Sequence, residues 1–182
     1  MLALFIFMAI LIVLISYVIV LYNRLQRLRV NIDEAESQIN VQLQRRSDLI
    51  PNLVNTVKGY AKHESSVLEK VTTLRANLTT GTTQDKINAN NQLSSTLKSL
   101  FAVAESYPDL KANTNFASLQ QELTNSEDKI SYSRQLYNSC VAVFNKNIAV
   151  FPGNLIANLF KFDVKPYLAI DQAAKQTPQV KF

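Results

Sequence analysis

The chain opens on an uninterrupted apolar run, MLALFIFMAILIVLISYVIVLY, in which Ser16 is the most polar side chain and no charge precedes Arg24. A helix needs about 20 apolar residues to cross the hydrocarbon core of a bilayer, so residues 1–22 are expected to form a transmembrane anchor. A cleaved signal peptide would show a basic start, a shorter apolar run and a small-x-small cleavage site. Here the run is long, the basic start is missing, and Tyr22-Asn23-Arg24 follows it. Tyr17 and Tyr22 suit the aromatic belt at a membrane interface.

Beyond the span the apolar positions recur at helical spacing. Leu25, Leu28, Ile32, Ala35, Ile39 and Leu43 step by three or four residues, which makes a core stripe close to a coiled-coil seam. No breaker separates this stripe from the span, so the anchor helix is expected to run straight on. Pro51 lacks a backbone donor and clashes with the carbonyl four residues back, which predicts a kink or a restart, with Asp48 as a candidate cap. The stripe resumes with Ile50, Leu53, Val57, Tyr60, Val67, Val71, Leu74 and Leu78, interrupted at Glu64. Thr79-Thr-Gly-Thr-Thr83 reads as a loop.

A third helix carries Ile87, Leu93, Leu97, Leu100 and Ala104, and is expected to end at Ser106-Tyr-Pro-Asp-Leu110. Thr114 or Asn115 is expected to cap a fourth, whose stripe is Phe116, Leu119, Leu123, Ile130, Tyr137, Val141, Phe144 and Ile148. Phe151-Pro-Gly-Asn154 is a turn signal, followed by a short amphipathic helix near 154–162. The prediction is an all-α protein: an N-terminal transmembrane helix running into a long-helix antiparallel bundle of three to four main helices. The expected organisation is an anchor over 1–22, a cytoplasmic bundle over 23–162 and a loosely ordered tail over 163–182.

Composition sharpens this picture in two places. Only 3 Gly and 5 Pro argue for long elements and against an all-β fold. The single Cys140 cannot form an intrachain disulfide, which fits a reducing compartment. The net charge of +5 is spread along the chain and lacks the clustered basic face with stacking aromatics that nucleic-acid binding calls for, so no nucleic-acid partner is expected.

Charge placement also predicts topology. Arg24, Arg27 and Arg29 follow the span directly, and positive flanks stay cytoplasmic. The expectation is a bacterial inner-membrane protein with its N-terminus out and the bulk of the chain in the cytoplasm. The same three arginines are candidate juxtamembrane lipid contacts, although a plain topology signal accounts for them equally.

Candidate chemistry is sparse. A di-iron bundle needs two Glu-x-x-His pairs, whereas the one histidine, His63, is preceded by Tyr60 at that spacing. His63-Glu64 begins like HExxH, but Val67 stands where the second histidine would be. Cys140 lies on the fourth stripe and reads as a small buried hydrophobe. Asn77-Leu-Thr79 matches a glycosylation sequon, without weight in a cytoplasmic domain. No catalytic residue, cofactor or metal site is expected. Two polar sets stand out. Arg45, Arg46 and Asp48 crowd one turn before Pro51, and Arg46 leans toward the apolar stripe at Ile50. They are candidates for a partner site or an internal ion-pair network. Asn138 and Asn145 lie seven apart at the edge of the fourth stripe, as seam residues or as an exposed edge.

Three segments resemble one family. Val41-Gln-Leu-Gln-Arg-Arg-Ser-Asp-Leu-Ile-Pro-Asn-Leu-Val-Asn-Thr-Val-Lys-Gly-Tyr-Ala61 is similar to the signature of the LemA family. Glu105 to Gln120 resembles its second motif. Tyr137-Asn138, Phe144-Asn145 and Phe151-Pro152 resemble a third, and Pro178 to Phe182 resembles the usual ending. Glu36 departs from the aromatic that many members carry, and Ser47 from a larger residue. The resemblance implies a bacterial inner-membrane helical bundle with no established enzymatic activity and no agreed catalytic residues. Members are often encoded near HtpX-type membrane metalloproteases or TPM-domain proteins, which implies protein partners of those kinds. The leading expectation is a non-enzymatic scaffold or adaptor. The alternatives are an accessory regulator of a membrane metalloprotease and a homo-oligomeric membrane-remodelling protein.

Overall fold

A computed structural model of the chain describes residues 1–60 and 64–169. The described residues form an all-α protein whose elements are α1 (Leu2–Lys58), α2 (Ser65–Asn77), α3 (Thr83–Ala104), α4 (Pro108–Lys111), α5 (Thr114–Ala149) and α6 (Gly153–Phe160). They belong to two compact units: Met1–Ala35 with Gln135–Tyr167, and Glu36–Arg134 with Leu168 and Ala169. His63 lies outside the described residues, as do residues 170–182 of the tail.

In the first unit, α1 is exposed along the apolar run, where side chains such as Phe5, Ile12 and Val20 find no cover. Burial begins at Leu25 and continues at Ile32 and Ala35. The same unit buries Tyr137, Val141, Phe144 and Ile148 of α5, which are the second half of the fourth stripe. The chain then turns sharply, and α6 lies at 96° to α5. Gly153 is required at this corner: a Cβ there would come within 2.1 Å of the Asn147 carbonyl oxygen. Lys161 closes α6 in the left-handed conformation (φ 56°, ψ 50°). The Phe162 N–H then donates to the Ala157 carbonyl (2.9 Å), the six-to-one bond of a Schellman cap. Phe162, buried just past that cap, meets Tyr22 of α1 and Phe144 of α5, with ring centroids 5.8 and 6.3 Å apart.

The second unit is a helical bundle built by α1 beyond Glu36, by α2, α3 and α4, and by the first part of α5. Its core holds Ile39, Leu43, Ile50 and Leu53 of α1, Val71 and Leu78 of the α2 segment, Ile87, Leu93 and Leu100 of α3, and Phe116, Leu123 and Ile130 of α5. Tyr60 is exposed instead of joining its expected stripe, and Leu68, next to the half-buried Val67, is the buried residue there.

Pro51 does not end the helix. Helix α1 continues through it to Lys58 and ends in a turn at Gly59 and Tyr60. The donor that proline removes is replaced from α2. Proline at position 51 leaves the Ser47 carbonyl without its ladder donor, and Arg75 Nε supplies one from α2 at 2.9 Å. Asp48 is therefore inside a helix, not at its start, and accepts from Gln44 Nε2 one turn back (2.8 Å). The start of α5 also differs from expectation. Asn113, not Thr114 or Asn115, is the cap: its Oδ1 accepts from the backbone N–H groups of Asn115 (2.9 Å) and Phe116 (3.1 Å). At α3, Thr82 and Asp85 form a reciprocal capping box.

Candidate functional site

The least exposed charge among the described residues belongs to Arg46, which is 2% exposed at the centre of the second unit. Its place follows from the helical period. Arg46 falls between Leu43 and Ile50 on the buried face of α1, Asn90 between Ile87 and Leu93 on α3, and Glu127 between Leu123 and Ile130 on α5. Three polar residues thus occupy core positions on three helices, and they meet. Arg46 Nη1 donates to Glu127 Oε2, to Asn90 Oδ1 and to Ser94 Oγ, the last at 3.0 Å. Asn90 Nδ2 (3.1 Å) and the Ser94 hydroxyl (2.8 Å) donate to the same Glu127 oxygen.

A buried charge is tolerated only when paired and hydrogen-bonded. Burial pulls the Arg46 guanidinium below its usual pKa, and the Glu127 charge and hydrogen bond pull it back. Arginine stays protonated in proteins, so the network holds one cation and one carboxylate. Glu127 keeps 35% of its side chain exposed, against 3% for Arg46. The site is a polar knot opening to solvent at the carboxylate end. Arg46 Nε is buried with no acceptor among the described residues.

The three residues singled out before Pro51 go separate ways. Arg45 faces outward and pairs with Glu122 of α5 at 2.7 Å, with both side chains more than 40% exposed. Asp48 stays on α1 with Gln44. Glu36 accepts from the Thr83 hydroxyl at the start of α3. Lys86 reaches Asn40 in the same seam (2.9 Å). Ser47 is buried and offers the carbonyl that Arg75 caps. Glu127, Asn90, Ser94 and Arg75 were not anticipated from sequence. The visible signal for the first two was a polar residue at a core position of an otherwise apolar stripe.

In the first unit, Asn145 makes a two-way amide contact with the extended chain after α6. Its Nδ2 donates to the Lys165 carbonyl (2.8 Å), and its Oδ1 accepts from the Lys165 N–H (2.9 Å). Tyr137 donates to the Pro166 carbonyl nearby (3.4 Å). Asn138 is half-buried on the same helix. Cys140 is half-buried, and burial, with Glu34 adding to it, pushes its thiol pKa up, away from a reactive thiolate. Arg24, Arg27 and Arg29 are exposed.

These features define an all-α protein with one N-terminal helix long and apolar enough to cross a membrane and a core tied by an internal ion pair. Residues 35–182 match the LemA family, and the chain belongs to that family. It is 30% identical over 138 residues to "Protein LemA" of Metamycoplasma hominis, an alignment covering 74% of this chain and 63% of that relative's length. It is 23% identical over 187 aligned positions to "Magnetosome protein MamQ 1" and "MamQ 2" of Paramagnetospirillum magneticum, covering 86% of this chain and 67% of each of them.

Proposed function

We propose that the chain is a membrane-anchored, non-enzymatic helical scaffold that presents its bundle to protein partners at a bacterial inner membrane, with residues 1–22 as the anchor, the N-terminus outside and the bundle in the cytoplasm. The observation that carries the reading is the disposition of the polar groups around the buried Arg46. Arg46, Glu127, Asn90 and Ser94 are all engaged with one another across three helices, an arrangement that holds helices together. The apolar run and Arg46 are on the same helix, so the membrane segment and the bundle share an element. The three exposed arginines directly after the run support the orientation.

Purification of the full chain from membranes in mild detergent tests the role. A protein partner recovered in fixed stoichiometry is the expected result, and a membrane metalloprotease in that position would make the chain its accessory regulator. Rings or filaments of the chain alone would replace the scaffold reading with a homo-oligomeric one. A reporter fused after Phe182 tests orientation: activity on the outer side of the membrane would overturn it.

A further inference from the structure

The corner between α5 and α6 is apolar on the outside as well as the inside. Helix α6 reads GNLIANLF, with Asn154 and Asn158 as its only polar side chains. Gly153, Ile156 and Ala157 face inward and are buried. Outward, Leu155 is 57% and Leu159 70% exposed, and Phe151, just before the helix, is 77% exposed. Leu155 and Leu159 are one turn apart and share a face. Apolar side chains left open beside a buried face call for cover by protein or by a membrane.

The surroundings identify which. Phe160 lies against Tyr22, with ring centroids 4.8 Å apart, and Tyr22 is the last residue of the apolar run of α1. Phe151, Pro152 and Gly153 line a groove of about 390 Å³ together with Leu21 and Leu25, which places the corner level with the end of that run. The same groove holds Arg24 and Lys146, two cations at the edge of an apolar wall. Lys161 follows directly on α6.

We infer that the α5–α6 corner is a second membrane contact: α6 lies in the bilayer interface with Phe151, Leu155 and Leu159 among the acyl chains, and the Arg24–Lys146 groove takes an anionic phospholipid headgroup. Apolar residues on one side and lysine or arginine at the rim are the composition of an interfacial helix, whose apolar face sinks ~5–10 Å into the headgroup–acyl boundary. Cations beside the cytoplasmic leaflet attract anionic lipids. The inference rests on residues 2–22 crossing the bilayer.

The chain has no tryptophan, so a single introduced one reports its own surroundings. Leu159→Trp, Leu11→Trp and Val30→Trp are made in the full chain and reconstituted into phosphatidylcholine vesicles with and without phosphatidylglycerol, using lipids brominated at shallow or deep chain positions. Val30 is exposed on α1, roughly 12 Å along the helix beyond Tyr22 at 1.5 Å per residue, and serves as the aqueous reference. The L11W protein is expected to be quenched most by deep bromines, and the L159W protein most by shallow ones, with a blue-shifted emission. If L11W is quenched but L159W behaves as V30W does, the span stands and the corner contact is wrong. If L159W is blue-shifted yet unquenched, protein covers the corner and the lipid assignment is wrong. If L11W escapes quenching, both readings fall. Removing phosphatidylglycerol is expected to weaken quenching of L159W, and adding Arg24→Gln and Lys146→Gln to abolish that dependence. Equal quenching in both lipids would refute the headgroup site.

Discussion

Arg46→Ala is the sharpest perturbation the structure offers. It removes the cation from a network in which Glu127 receives three donors, and it leaves the Asn90 oxygen and the Ser94 hydroxyl facing a void. Breaking a fully buried pair costs about 3–5 kcal/mol, whereas an exposed pair is worth only ~0–1 kcal/mol. Arg46 belongs to the first case. Glu127, with 35% of its side chain in water, can recover part of its hydration once its partner is gone. The lower end, ~3 kcal/mol, is therefore expected. For a chain of this size 1 kcal/mol moves the melting temperature by ~2–4 °C, so the loss should reach roughly 6–12 °C. The assay is helical circular dichroism against temperature, on the full chain in one detergent. Arg46→Met separates charge from packing: it fills the space, introduces no unpaired cation and leaves Asn90 and Ser94 to serve Glu127, so it should cost clearly less than the alanine. Glu127→Gln strands the cation instead and should resemble Arg46→Ala. Melting of both Arg46→Ala and Glu127→Gln within ~1 °C of the parent would refute the reasoning, because the pair would then be worth no more than a surface contact.

Arg75→Ala should destabilise by ~1–3 kcal/mol by orphaning the Ser47 carbonyl, and Pro51→Ala, which restores the ladder donor, should reduce that cost in a double-mutant cycle measured by denaturant titration. Gly153→Ala should lower the melting temperature, because its Cβ meets a backbone oxygen that has no side-chain freedom to move. Lys161→Gly should raise stability by up to ~1 kcal/mol by removing a side chain from a left-handed residue, read as an upward shift of the melt. The Thr82 hydroxyl and the Thr82 backbone N–H hold the Asp85 carboxyl below its usual pKa, so its contribution is complete above the ordinary carboxylate value and is lost as pH falls through the lowered one. Asp85→Asn should flatten that acid limb in a stability–pH profile.

Local periodicity is enough to read most of the core. The apolar positions that the helical spacing marks on α3 and on the second half of α5 are buried, while Ala89, Asn90 and Thr96 on α3 and Ser133 on α5 are buried outside those marks. What escaped depends on residues distant in sequence. Pro51 looks like a breaker because its missing donor is a local fact, while the compensating Arg75 sits on another helix. Arg46 could be seen leaning inward beside Ile50, but its counter-charge stands 81 residues away. Asn113, Thr114 and Asn115 are equally able caps in sequence, and only the backbone path selects Asn113. Arg46, Asn90 and Glu127 each break an apolar stripe, and buried polar groups must find one another.

Proline inside α1 also has a bearing on how α2 finds its place. Along a regular helix every interior carbonyl is already occupied, so a neighbouring helix sliding past meets a uniform cylinder and has only side-chain shape to stop it. The vacancy at Ser47 breaks that uniformity. It is an acceptor that Arg75 meets in the observed alignment of α2, and a shift by one turn would carry Arg75 about 5.4 Å along the helix, farther than one hydrogen bond spans. A substitution that repairs the ladder could therefore leave the protein harder to melt yet less certain of its register, with α2 sampling neighbouring alignments.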